Sequence, residues 1–459
     1  MNEDVHLLLD SLGSSIPGVD ASAHFRGKRI TVMGLGLLGR GVGDARYLAE
    51  QDAELIVTDL KSREELATSV AQLEAFTNVT FVLGEHRLED FRGRDLILKA
   101  AGVPLDSAYI AEAKKNGIPV RMSADLFAEM SGVACIGITG TRGKSTVAHM
   151  LHTILKAAGK PVLLGGNVRG VSTLALLAEA TPAHIAVLEL DSWQLQGFGE
   201  AKTSPHVAVF TTFYPDHLNY YHDDLNVYLA DKANIFLYQK PEDMLVLGTQ
   251  CAPTVIDKYG DKIEAKTVVV DELKLPDTWT LRVLGVHNRY DAALALAAAR
   301  MVGIPDTTSR EALQSFPGVP GRLELLREVR GVKIYNDTTS TTPEATIAAI
   351  DALRQSSGQN QNLILILGGS DKKLDMDKLL AKLPEVKKVI LLAGSGTERI
   401  RETVLGAPVY DTLVEAVTDA FDAATPGDAV LFSPAFTSFG MFKNEFDRGD
   451  RFNAIVQTL

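Results

Sequence analysis

The chain has almost no cysteine. Cys135 and Cys251 are the two present in 459 residues, so a disulfide framework and a cysteine-built metal site are excluded, and a reducing compartment is expected. A surplus of basic charge is also missing. The 46 Lys and Arg are outnumbered by 58 Asp and Glu, for a formal net charge of −12. Phosphate-backbone binding draws its affinity from clustered cations, so nucleic acid is not an expected partner. No stretch approaches the roughly 20 apolar residues of a membrane-spanning helix, and the opening MNEDVHLLLD carries acids where a secretory signal needs positive charge. Fixed-period repeats and low-complexity tracts are absent as well. A soluble, cytoplasmic protein that handles small molecules is expected, acting as a monomer.

What remains is a long chain of ordinary globular composition, too long for one core. Short β-rich runs alternate with stretches of helical period: RITVMG, then residues 40–51, then ELIVTD; later VACIGITG, then residues 146–158. Such alternation is the mark of βαβ units and parallel sheets. Punctuation falls at Met130-Ser131-Gly132 and at FPGVPGRLE, residues 316–324. Beyond the second break, LILILGGSDK, VILLAGSG and AVLFSP read as buried strands ending in polar turns. The expectation is an α/β protein of three domains in series, 1–130, 131–320 and 321–459. Open α/β sheets bind ligands at the carboxyl ends of their strands, so the residues closing each strand are the candidates.

Residues 136–147, IGITGTRGKSTV, run from an apolar strand into Gly143-Lys144-Ser145-Thr146. The common nucleotide loop G-x-x-x-x-G-K-[ST] places its first glycine five positions before the second. That position is Ile138 here, and the glycines fall at Gly137 and Gly140. Backbone N–H groups from Gly140 through Thr141, Arg142 and Gly143 to Lys144 can still wrap a phosphate. Lys144 can reach its oxygens, and the Ser145 hydroxyl can ligate Mg²⁺. ATP is the expected ligand. MGLGLLG adds Gly34, Gly36 and Gly39 in the spacing G-x-G-x-x-G after a strand, with Asp59 ending the next strand. That turn favours any phosphate at a helix N-terminus, and its spacing leaves NAD and a UDP-sugar both open. Glu189 ends the strand in AVLELDSWQL, Asp216 and His217 follow another in FTTFYPDHLNYY, and Lys232 stands on the helix in YLADKANIF. Taken singly these are a strand-end carboxylate, a capping histidine and a solvated lysine. Asn288 in LGVHNRYDAALALAAA is part of a helix start. Arg322, Asp337, Thr341, Lys372 and Ser438 lie in turns of the third segment, where N-caps are the plain alternative.

Seven of these stretches, in this order, resemble the Mur ligases, the ATP-dependent amide ligases of peptidoglycan precursor synthesis. They are TGTRGKS, ELDSWQL, DHL at 216–218, GVHN at 285–288, GRLE at 321–324, NDT at 336–338 and SPAFTSF at 433–439. Within the family, the likeness is to the branch that adds glutamate to UDP-N-acetylmuramoyl-L-alanine through an acyl phosphate. It implies a Rossmann-like UDP-binding domain, a central P-loop ATPase-type domain with a parallel sheet, and a C-terminal Rossmann-like domain for the amino acid. It further implies ATP contacts at Gly140 to Thr146, Asn288, Arg322 and Asp337. UDP-muramoyl contacts are implied at Leu37, Leu38, Asp59 and Asn167, and amino-acid contacts at Thr341, Lys372 and Ser438. Two Mg²⁺ sites are implied at Ser145, Glu189, His217 and Lys232, the last as a carbamate, and the pattern admits K⁺. Lys144, Lys232, His217 and Glu189 are then the catalytic set.

The chain also departs from the family pattern. Thr339 stands where that branch usually has Lys, and Glu445 where an aromatic is expected. Asp291 replaces an Asn, and Ala100-Ala101-Gly102 replaces Ser-Pro-Gly. Losing an ammonium and gaining a carboxylate is unfavourable for a dianionic amino acid. D-glutamate, L-glutamate or another amino acid therefore stay open, as does a folylpolyglutamate synthase-type ligase. A nicotinamide oxidoreductase would rest on GLGLLG and Asp59 alone.

Overall fold

Every apolar run singled out above forms a strand in the computed structural model, which describes residues 20–356 and 362–459. The acidic opening MNEDVHLLLD lies outside the described residues. Three sheets follow one another along the chain. The first is built from β1 (Arg29–Met33), β2 (Glu54–Asp59), β3 (Val79–Leu83), β4 (Leu96–Lys99) and β5 (Val120–Arg121), in the order β3-β2-β1-β4-β5. All its pairings are parallel. The chain reverses its winding between β1 and β4, which is where a doubly wound sheet opens a crevice.

The second sheet holds β6 (Ala134–Thr139), β7 (Val162–Gly166), β8 (Ile185–Glu189), β9 (Val207–Phe210), β10 (Met244–Gly248) and β11 (Lys266–Val270), ordered β11-β10-β9-β6-β8-β7. It too is parallel throughout. β6, β8 and β9 are buried along their whole length while β11 at the edge is mostly exposed. This is why the first three read as unbroken apolar runs. Residues 146–158 were expected as a helix, and it forms as Lys144–Ala157. It starts two residues early because Gly143 caps it with φ of 88°, a left-handed turn that glycine adopts without strain.

The third sheet is mixed. β12 (Glu324–Val329) pairs antiparallel with β13 (Val332–Asn336), and β14 (Leu363–Gly368), β15 (Lys388–Leu392), β16 (Val409–Tyr410) and β17 (Ala429–Phe432) complete a parallel remainder. Its order is β12-β13-β17-β14-β15-β16. Pro343 opens the helix Pro343–Ser356, where its missing N–H costs no helical bond.

The chain divides into two compact units. One runs to Trp279 and takes up Tyr290–Leu313, so the first two sheets belong together; the other is Thr280–Arg289 with Gln314–Leu459. Thr280–Arg289 goes with the second unit through contacts such as that between Gly285 and the Ala352 methyl. No helix among the described residues is long and apolar enough to cross a membrane.

Candidate active site

Strand register builds the centre of the site. Ile138 pairs with Glu189, Thr139 with Phe210, and Gly166 with Glu189. The carboxyl ends of β6, β7, β8 and β9 are therefore level, and the loop Gly140–Gly143, Asn167, Glu189 and the segment after Phe210 leave the sheet side by side. Glu189 is buried there, 4% exposed.

The loop is held by its neighbour strand. Thr141 N–H donates to the Thr212 carbonyl at 2.7 Å and Arg142 N–H to Thr212 Oγ1 at 2.9 Å, while the Thr211 hydroxyl donates to the Arg142 carbonyl. Gly140 has φ of 145°, and a Cβ on it would come 2.0 Å from Thr211 Oγ1. A Cβ on Gly143 would meet Asp291 Oδ1 at 2.4 Å. Both glycines are thus required by close approach as well as by backbone angle. Ser145 is buried at the first turn of the helix, and Thr146, beside it, is half-buried.

Two lysines converge on one oxygen. Lys144 Nζ donates to the Gly140 carbonyl at 2.9 Å and to the Thr141 carbonyl at 3.3 Å. Lys232 Nζ donates to the same Gly140 carbonyl at 3.0 Å and lies 4.9 Å from the centre of the Tyr228 ring. Lys232 is not the solvated charge its helix suggests, being 1% exposed. Burial, and after it the Lys144 ammonium, push its amine well below the ordinary lysine range. A buried, readily deprotonated amine is a nucleophile rather than a counter-ion.

His217 stands in a left-handed turn with φ of 54°, its ring 4.7 Å from that of Trp193. Asp216 beside it faces the Arg142 guanidinium at 3.5 Å. Among the described residues no three His, Cys, Asp or Glu side chains gather into a metal-ligand cluster.

The first sheet contributes a cleft of about 180 Å³ at its switch point, lined by the turn Gly34–Leu38, Arg40, Asp44 and Lys99–Gly102. Leu37 and Leu38 are on its wall. The two oxygens of Asp59 accept from Gly36 N–H and Lys61 N–H, each at 2.9 Å, so it braces the glycine turn. Asn167 joins the two sheets of this unit. Its N–H donates to the Glu189 carbonyl at 2.7 Å, and its side-chain oxygen accepts from Arg40.

In the second unit the ends of β13, β17 and β14 are likewise level, with Asn336 and Ile366 both opposite Phe432. Asp337 is fully buried and accepts from the Ser340 and Ser433 hydroxyls and from Leu323 N–H, tying the NDT, SPA and GRLE stretches together. Burial raises its carboxyl to about 6. Arg322 is exposed in the GRLE turn, and Ser438 is buried at 3% exposure. Lys372 Nζ lies 3.3 Å from Thr341 Oγ1. Asn288 donates to the Leu284 carbonyl at 2.6 Å, a helix-start bond.

The comparisons with known proteins agree along the chain. Family models described as Mur ligase MurD-like N-terminal domain, Mur ligase middle domain and Mur ligase glutamate ligase domain match residues 28–122, 138–299 and 321–436. The UDP-N-acetylmuramoylalanine--D-glutamate ligase of Roseiflexus sp. is 36% identical, covering 94% of this chain and 99% of its own. That of Borreliella afzelii is 34% identical over 93% and 97%. The chain belongs to the Mur ligase family. Among solved structures, the Mur ligase MurC of Thermotoga maritima superposes with a TM-score of 0.61 at 17% identity, covering 94% and 99%. E. coli FolC in complex with DHPP and ADP gives 0.57 at 19%, covering 73% and 93%. At those identities the likeness is one of fold, so fold alone does not separate Mur ligases from FolC.

This Mur ligase also uses residues that motif reading passes over. Thr211 and Thr212 fasten the phosphate loop, and nothing in FTTFY announces it. Arg448, 0% exposed, donates to the Thr338 and Phe436 carbonyls at 2.7 and 3.1 Å and so fixes two of the third-sheet turns. Thr339, where the family has lysine, donates through N–H and hydroxyl to the Gly321 carbonyl. Glu445 opens the helix Glu445–Thr458, where its charge suits the N-terminus.

Proposed function

We propose that this Mur ligase uses ATP to join D-glutamate to UDP-N-acetylmuramoyl-L-alanine in peptidoglycan precursor synthesis. The carrying observation is the convergence of Lys144 and Lys232 on the Gly140 carbonyl at the level strand ends that also hold Glu189. The amino acid and its isomer come from the relatives, which carry that name at 29–36% identity over nearly the full chain. In this reading the substrate carboxylate takes the γ-phosphoryl group of ATP, the glutamate amine attacks the acyl carbon, and phosphate leaves.

The chain's residues meet the electrostatic demands of that sequence. The loop from Gly140 to Lys144 is assigned to the phosphates, with the Thr141 and Arg142 N–H groups holding its shape against Thr212, and Lys144 turns from the loop carbonyls to the phosphate oxygens. Mg²⁺ is commonly held through one or two carboxylates together with substrate phosphates rather than by an all-protein cage; Ser145, Glu189, His217 and Lys232 as its carbamate are the residues that would hold it here. Bound there, it offsets negative charge on the phosphate oxygens. The neutral amine of Lys232 attacks CO₂ and loses a proton, which converts it to an anionic ligand. Leu37, Leu38, Asp59 and Asn167 are assigned to the UDP-sugar, Asp59 also bracing the glycine turn. Lys372, Thr341 and Ser438 are assigned to the glutamate. Asn288, Arg322 and Asp337 of the second unit are assigned to ATP by the family resemblance. The reducing-compartment chemistry of two buried thiols accords with cytoplasmic work.

Phosphate release by the purified protein, with each substrate omitted in turn, tests the reading: release is expected when ATP, UDP-N-acetylmuramoyl-L-alanine and glutamate are all present, and release indifferent to the amino acid would overturn it. Gly140→Ala is expected to lower stability by about 3 kcal/mol, since the new Cβ strains the backbone and displaces Thr211. A thermal melt alongside an ADP titration checks this, with ADP binding lost as the loop opens.

A further inference from the structure

Lys99 ends β4, opposite Met33 and so directly beside the glycine turn. It is 2% exposed, a rare state for a lysine, and it lines the first-sheet cleft. Its ammonium donates to the carbonyls of Ala100, Ala101 and Val103 at 3.3, 3.5 and 2.9 Å. All three acceptors belong to the loop that follows. That loop, Ala100-Ala101-Gly102-Val103, has neither a proline to stiffen it nor a side-chain hydroxyl or amide to bond within it. Yet its position is critical, because a Cβ on Gly34 would come 2.8 Å from the Ala100 methyl. The loop and the glycine turn are the two facing walls of one cleft.

We propose that Lys99 is a positioning residue for the UDP-sugar: its ammonium gathers three loop carbonyls and holds the wall opposite the glycine turn in its binding shape. The inference rests on the substrate proposed above and deepens it. The ammonium spends its donors on the loop rather than on the ligand, so its effect on affinity comes through the fraction of protein already in the binding shape. Removing the amine leaves three carbonyls without their shared donor, and neutralising it takes away one of its three donors and the charge that strengthens the rest; either frees the loop to sample other conformations.

Burial lowers the Lys99 amine to about 8, against the pull of Asp191, Asp125, Asp231 and Glu200. Arg40 and Asp44 line the same cleft. A lowered lysine keeps its charge below that value and gives it up above, so the staple weakens as the pH is raised through about 8. The diphosphate of a UDP-sugar is a diester with no proton to lose there.

Calorimetric titration of the full chain with UDP-N-acetylmuramoyl-L-alanine, and separately with ADP, tests this. Lys99→Met is expected to bind the UDP-sugar about tenfold more weakly and ADP as the wild type does. Wild-type affinity for the UDP-sugar should fall as the pH passes through about 8, and the variant should show no such fall. The wild-type titration needs no variant to fold. Equal affinity of Lys99→Met and wild type, or a wild-type affinity that is flat across that range, would overturn the inference. Failure of the wild type to bind the UDP-sugar at all would overturn the proposed substrate as well.

Discussion

Lys144→Ala is expected to reduce kcat by about a thousandfold or more while the fold survives. The size follows from what the side chain faces. Phosphoryl transfer gathers negative charge on several oxygens at once, and a positioned cation in a water-poor site is the main thing a protein can set against it. The stability cost is small because Lys144 is half-buried and the Gly140 carbonyl it leaves also accepts from Lys232 Nζ. Lys144→Arg should not restore the rate, since a planar fork does not replace a compact ammonium at a glycine loop. The variant should also disturb Lys232. Its amine is depressed in part by the Lys144 charge, so removing that charge favours protonation and disfavours the carbamate. The two lysines should accordingly be non-additive in a double-mutant cycle, as groups that act together are.

Lys232 carries the second large effect, and here activity and stability move in opposite directions. Lys232→Met is expected to lose at least about a hundredfold in kcat and to gain thermal stability. The gain comes from replacing a fully buried ionisable amine with an apolar side chain of similar length. Its pH dependence has a definite sign. The folded protein holds its Lys232 proton less tightly than the unfolded chain, so the wild-type penalty is full at low pH. It shrinks as the pH rises from the depressed folded value toward the ordinary lysine value. The melting advantage of Lys232→Met should therefore be largest at low pH and fade toward alkaline pH. Lys232→Ala, which leaves space at the same point, should be partly rescued by short carboxylic acids that stand in for the carbamate. Absence of any rescue would count against the carbamate while leaving the ligase reading in place.

Much of this site can be read from the chain before folding. IGITGTRGKSTV declares a strand, a left-handed loop and a helix start because each piece has its own local chemistry: an apolar run, glycines at tight approaches, and a lysine where a phosphate would sit. The strand ends are legible for the same reason. What the sequence hides is which side of an element turns inward. YLADKANIF has a helical period, yet nothing in it distinguishes an inward Lys232 from a solvated one; burial there is set by Tyr228 and the loop it meets across the sheet. Asp59 closes its strand and accepts two backbone N–H groups, a bracing role fixed by the fold of the turn that its spacing does not announce. Thr339 and Glu445 look like losses of function in the amino-acid site. In the folded chain they are occupied with the Gly321 carbonyl and a helix N-terminus, so their identities answer local structural needs. Lys99, inside the run LILKAAG, gives no sign in sequence that its three donors close a loop.

Ligation of a defined amino acid isomer can be followed on the intact protein. The purified chain is incubated with ATP, Mg²⁺ and UDP-N-acetylmuramoyl-L-alanine, with D-glutamate or L-glutamate in parallel, and product mass and released phosphate are followed together. A dipeptide product is expected with D-glutamate, formed in step with one phosphate per bond, and none with the L isomer. A product with L-glutamate in place of D, or phosphate released without a new amide bond, would contradict it.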